Sequence, residues 1–181
     1  MTDISYTTPG LTTEQSQRTI ELLQYRLAAY NDLHLTLKHV HWNVVGPNFI
    51  AVHEMIDPQV DLVRGYADEV AERIATMGGS PGGTTGDIAA VRDWDDYSLR
   101  RDTVGAHLGA LDVVYRGVVT SNREGIEETE KLDPVTQDML IAHTAELEKF
   151  QWFVRAHLEN SGGQLSTTGA TSETEAADAS R

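Results

Sequence analysis

The sequence predicts an all-α protein built as a four-helix bundle. Three observations carry this. Apolar residues recur at spacings of three and four in four long stretches, the mark of one buried helix face. Glycine, proline and Asx signals separate those stretches. No segment shows the two-residue alternation of a strand. The 181 residues fit a single domain, and an apolar fraction of 40% excludes a disordered chain.

The first ten residues are rich in Ser, Thr, Pro and Gly, so residues 1–14 are expected to form a flexible N-terminal arm. Helix one follows on the stripe Ile20, Leu23, Leu27, Tyr30, His34, Leu37 and His41, and Gly46-Pro47 stops it. Helix two is expected from about Asn48 to Met77, with a kink at Pro58, and glycines 78 and 79 end it. The following loop runs to about Trp94, with one helical turn at Ile88 to Val91. Helix three carries Val104, Leu108, Leu111, Tyr115 and Val118 and is expected to end near Ser121-Asn122, with a short piece over residues 125–132. Glycines 105, 109 and 117 weaken its intrinsic propensity, so tertiary packing must hold it. Asp133-Pro134 is a start signal, a capping carboxylate before a proline at the first helical position. Helix four carries Met139, His143, Leu147, Phe150, Val154 and His157. The bundle thus spans 15–160. Residues 161–181 are small, polar and acidic, and are expected to form a flexible C-terminal tail.

The chain holds 14 Lys+Arg against 28 Asp+Glu, a net charge of −14, and no cysteine. Disulfides, thiolate metal sites and a cysteine nucleophile are excluded. Any metal must be held by His, Asp and Glu. The acidic balance argues against a generic binder of nucleic acid or anionic membranes. No basic and apolar leader and no long apolar run is visible, so a soluble cytoplasmic protein that does not enter membranes is expected.

One face of helix two gathers His53, Asp57, Asp61, Asp68 and Glu72. His53 and Asp57 stand four apart, as do Asp68 and Glu72, and such pairs can each grip a metal from one side. Imidazole with carboxylate suits iron, zinc or manganese. The same stripe also reads as a solvated helix face, with Asp57 a cap before Pro58 and His53 structural. His34 and His41 lie on the apolar stripe of helix one, where a buried imidazole needs a metal or a hydrogen-bond partner. His39 lies on a different face and reads as a surface residue.

The run His41-Trp42-Asn43-Val44-Val45-Gly46-Pro47-Asn48-Phe49-Ile50-Ala51-Val52-His53-Glu54-Met55-Ile56-Asp57 closely resembles the first signature of the Dps family, the mini-ferritins also called DNA-binding proteins from starved cells. Asp68-Glu69-Val70-Ala71-Glu72-Arg73, with Gly78 and Pro81, resembles the second, and Lys149-Phe150-Gln151-Trp152-Phe153 a third. The resemblance covers roughly residues 15 to 160 and implies a ferritin-like bundle with a short helix in its middle connection, assembled as a hollow homododecamer. It implies a ferroxidase that oxidises Fe(II) with hydrogen peroxide in preference to dioxygen and stores ferric mineral, protecting the cell from oxidative damage. His41, His53 and Asp57 would come from one subunit and Asp68 and Glu72 from its two-fold partner. Trp42 would take up an oxidising equivalent or support the site, or else pack as an interface aromatic. Phe150, Trp152 and Phe153 read as packing residues.

Pro58 and Asp61 lie outside the family's ligand pattern. Pro58 could tilt the Asp57 carboxylate, and Asp61 reads as solvated. Asp133 and Asp138 match acids of the family's three-fold iron pores, and read equally as a helix cap and a first-turn acid. The third pore position is the uncharged Ala142, with Glu124, Glu127, Glu128 and Glu130 nearby. DNA binding is expected to be weak or absent. The tail sets Glu173, Glu175 and Asp178 against Arg181 alone, and the N-terminal arm sets Asp3 and Glu14 against Arg18 alone. The competing functions are a nucleoid protein, which the charge disfavours, and a hydrolase using the same His and carboxylate site to activate water.

Overall fold

The computed structural model describes residues 4–181. Among the described residues six helices run in the order α1 (Thr13–Asn43), α2 (Phe49–Thr76), α3 (Thr85–Val91), α4 (Val104–Leu132), α5 (Pro134–Leu158) and α6 (Glu173–Ser180). The long helices α1, α2, α4 and α5 form the expected bundle, and α3 sits in the middle connection. Two short strands, β1 (Val44–Val45) and β2 (Asp102–Thr103), pair in parallel, with Val44 opposite Asp102 and Val45 opposite Thr103. They fall where no strand is expected, since two residues are too few to leave a period in the sequence.

Every helix except α2 starts where a side chain supplies an acceptor for its free backbone N–H groups. Thr12 caps α1 and exchanges bonds with Gln15 in a capping box. Thr84 and Asp87 do the same for α3. Asp133 caps α5 by accepting from the backbone of Val135 and Thr136. The α1–α2 turn passes through Gly46 at φ 100° and Asn48 at φ 64°, left-handed conformations that glycine and asparagine tolerate. α2 continues through Pro58 without a break.

The main core cluster counts Leu23, Tyr30, Leu37, Val63, Ile74, Leu111, Tyr115, Leu140 and Leu147 among its buried members, and a smaller one gathers Leu99, Ala106, Ala110 and Ala177. Two expectations are corrected by packing. α4 does not end at Ser121-Asn122 but runs 29 residues to Leu132. Asn122 is buried, donates to Tyr30 and Thr144 and accepts from Arg26, so the core satisfies a residue that reads as a terminus. The C-terminal segment, expected to be flexible, packs on the bundle, with Ala176 and Ala177 fully buried. Thr167 donates to the buried Asp112, which also accepts from Arg155 and Gln151. In the N-terminal arm, Thr7 meets Ser16, and a Cβ at Gly78 would overlap the Tyr6 carbonyl, so the arm lies against the end of α2. Residues 1–3 of that arm, including Asp3, lie outside the described residues.

Candidate metal centre

The end of α1 and the start of α2 come together through their two histidines. His41 is buried and His53 half-buried, and their rings stack with centroids 3.6 Å apart and planes at 24°. His41 Nδ1 lies 3.0 Å from the backbone oxygen of His53, and His53 Nδ1 lies 3.0 Å from the backbone oxygen of His41. A carbonyl only accepts, so both Nδ1 atoms carry the proton and donate. Each Nε2 is left with its lone pair, the tautomer a metal ligand needs. Phe49 tilts against His53 at 5.0 Å.

Asp57 lies beside this pair, its carboxylate 3.2 Å from His41 Nδ1, though that nitrogen's hydrogen bond goes to the His53 carbonyl. The carboxylate accepts from Lys38 Nζ at 2.7 Å, and this ammonium holds its pKa below the usual carboxylate range. Lys38 carries no motif of its own in the sequence. The available signal is its place one turn before His41, which puts a cation on the same helix face as that histidine.

Asp68 and Glu72 are exposed further along α2. At 1.5 Å per residue, Asp68 stands about 16 Å beyond Asp57 along the helix axis. One chain therefore brings together His41, His53 and Asp57, and keeps Asp68 and Glu72 apart from them. Among the described residues no group of three or more His, Asp and Glu within the chain forms a complete metal-holding cluster. Asp68 shares an open groove of about 690 Å³ with Asp61, Arg64 and His34. His34 Nδ1 is buried without a hydrogen-bond partner, and burial followed by the charge of Arg64 lowers its pKa. Trp42 is 70% exposed.

The two acids expected at an iron pore differ. Asp138 is exposed, whereas Asp133 is 2% exposed and bonds to Arg73 at 2.5 Å and to the Thr136 hydroxyl at 2.5 Å. Burial pushes the Asp133 pKa up, but Thr136 and Arg73 outweigh it and hold the carboxyl below its ordinary value. Another imidazole, His143, is buried in the core, its ring stacked 3.9 Å from that of Tyr66 and its Nε2 2.9 Å from Glu69. Burial lowers its pKa against the pull of Glu69. His39 is not a bare surface group, because its Nε2 bonds the Leu99 carbonyl at 2.9 Å. No helix among the described residues is long and apolar enough to cross a membrane.

The ferritin-like domain model matches residues 20–161. The chain is 67% identical over 177 residues to the DNA protection during starvation protein of Mycolicibacterium smegmatis, covering 98% of this chain and 97% of that protein. It is 48% identical over 160 residues to the fine tangled pili major subunit of Haemophilus ducreyi, covering 88% and 85%. A solved Dps structure from Mycobacterium smegmatis superposes with a TM-score of 0.90 at 68% identity, covering 91% of this chain and 99% of that one. The bundle, the short helix in its connection and these likenesses agree, and the chain belongs to the Dps family of ferritin-like proteins.

Proposed function

We propose that this protein is a ferroxidase and iron-storing mini-ferritin that works as a hollow homododecamer. The observation that carries the reading is the reciprocal bond between His41 and His53. It fixes both imidazoles in the tautomer that offers Nε2, beside a carboxylate and without any thiolate. His41, His53 and Asp57 supply one half of the centre. Asp68 and Glu72 of a two-fold partner supply the other, which explains two ligand clusters that cannot meet within one chain.

Iron(II) is the substrate. Two Fe(II) ions give one electron each to hydrogen peroxide, which takes up two protons and leaves as two waters. The chain's residues hold and orient the ions. The imidazoles bind through fixed nitrogens, and the carboxylates add charge that favours the trivalent product. Asp57 exchanges Lys38 for the metal. Trp42, exposed next to His41, is the side chain placed to take up a stray oxidising equivalent. Asp138 with the exposed Glu124, Glu127 and Glu130 attracts cations towards the start of α5. Asp133, turned inward on Arg73, holds that helix in place.

Protection of DNA, the role named for the Mycolicibacterium relative, is read here as removal of Fe(II) and peroxide together. Direct DNA contact is weak, since the C-terminal Arg181 is paired with Asp102 and Asp178. A gel shift that stays complete above physiological salt overturns that part.

The deciding measurement adds Fe(II) and then peroxide or dioxygen, following ferric absorbance in the wild type and in His53→Ala. Fast oxidation that is lost in the variant supports the reading, and equal rates refute it.

A further inference from the structure

The C-terminal helix does more than cover surface, because its contacts lead towards the His41–His53 pair. Ala177 of α6 is buried in a small cluster with Leu99, Ala106 and Ala110. The approach is close enough that a Cβ at Gly105 would overlap the Ser180 carbonyl, and one at Gly109 the Ala176 carbonyl. At the start of α6, Glu173 accepts from the backbone nitrogen of Ser98 at 2.7 Å and from its hydroxyl at 2.8 Å. At its end, Arg181 donates to Asp102 at 2.7 Å. The helix therefore clamps the connection 98–102 at both ends and in the middle.

That connection touches the end of α1 once and the strand that follows it once. The carbonyl of Leu99, whose residue packs against Ala177, bonds His39 two residues before His41. Asp102, held by Arg181, pairs in β2 with Val44 of β1, three residues after His41. The reciprocal bonds between His41 and His53 require the end of α1 to keep its register against the start of α2. A two-residue ladder supplies little rigidity of its own.

We infer that α6 is a positioning element for the metal centre: docked on Gly105 and Gly109, it fixes residues 98–102 and, through them, the turn that presents His41. None of its residues touches the metal. The inference rests on the ferroxidase reading of His41 and His53.

The test uses Co(II), bound to the assembled protein and followed by its visible absorption. Four proteins are compared: wild type, His53→Ala, Gly117→Ala, and the double variant Gly105→Leu with Gly109→Leu. Leucine side chains at 105 and 109 cannot coexist with docked α6, while leucine favours the α4 helix itself. Release of α6 is read by cleavage at Glu173 and Glu175 with a glutamyl protease, and a chain ending at Asn160 repeats the comparison without the helix. The expected result is a Co(II) Kd raised about 10-fold in both tail variants with an altered visible band, as for loss of a group that orients a ligand. Gly117→Ala should match the wild type. A merely structural tail would lower thermal stability and leave Kd and spectrum unchanged, and that result overturns the inference. If His53→Ala binds Co(II) as the wild type does, the metal centre itself is refuted, so the two failures are distinguishable.

Discussion

The two halves of the proposed centre are built in opposite ways. The nitrogen half is locked: two stacked imidazoles on different helices hold each other's backbone through Nδ1. The carboxylate half, Asp68 and Glu72, stands exposed on one helix. The difference follows from the ligands. An imidazole offers one lone pair in one direction and only in the correct tautomer, so its orientation must be set in advance. A carboxylate has two equivalent oxygens and reaches a metal from many rotamers. A site closed by a partner subunit can leave its adaptable donors waiting in solvent, and must prebuild its rigid ones.

The largest effect expected from breaking this contrast is at the locked half. His53→Ala removes one ligand and also the bond that orients His41, and should slow peroxide-driven iron oxidation by about 100-fold or more. Stopped-flow ferric absorbance measures it. A loss no greater than that of Glu72→Gln would show that the locking is of no consequence.

The same contrast recurs in the acids near α5. Asp133→Asn keeps an oxygen to cap the helix but discharges the partner of Arg73, and should destabilise the fold by about 2 kcal/mol at neutral pH, as breaking a largely buried pair does. Asp138→Asn, at an exposed acid, should change stability by less than about 0.5 kcal/mol. The sign with pH is fixed by the depressed pKa of Asp133 in the folded protein. Its contribution is complete above the ordinary carboxylate value near 4 and disappears as pH falls through the depressed folded value. Denaturant titrations at neutral and acid pH should therefore show the gap between wild type and Asp133→Asn closing on acidification. A gap that widens would contradict the pairing.

Lys38 offers a smaller and opposite effect. Its pair with Asp57 is half-exposed, and pairs of that kind are worth up to about 1 kcal/mol. Lys38→Met frees the carboxylate, so Co(II) should bind up to about fivefold tighter. Weaker binding would mean that Lys38 supports the site and does not compete for it.

The bundle and the candidate ligand motifs are legible in the sequence because both are local. A helix face repeats within one turn, and the His53/Asp57 and Asp68/Glu72 pairs each sit four residues apart. Asp133-Pro134 was legible for the same reason, since a cap acts on the next turn alone. What escaped depends on distant residues. Ser121-Asn122 resembles a helix end until Arg26, Tyr30 and Thr144 arrive to satisfy it. The C-terminal residues are too polar to predict a packed helix. Their docking surface is made by glycines that weaken α4 locally, so the feature that holds α6 reads along the sequence as a defect. Lys38 and the inward turn of Asp133 were hidden likewise, because each is defined by a partner 19 to 60 residues away.

The smallest effect separates those glycines from one another. Gly109 and Gly117 lie on the same helix, eight residues apart, and cost α4 the same intrinsic propensity. A Cβ at Gly117 meets nothing within 4 Å, whereas one at Gly109 would overlap the Ala176 carbonyl. Gly117→Ala should therefore stabilise the protein by about 0.5–1 kcal/mol, the usual gain in a helix interior. Gly109→Ala makes the same local gain but must push α6 away, and its net effect should be destabilising. Thermal unfolding of the two variants side by side gives the sign directly. Stabilisation by both would mean that α6 yields at no cost, and the glycine at 109 would then have no packing reason to be there.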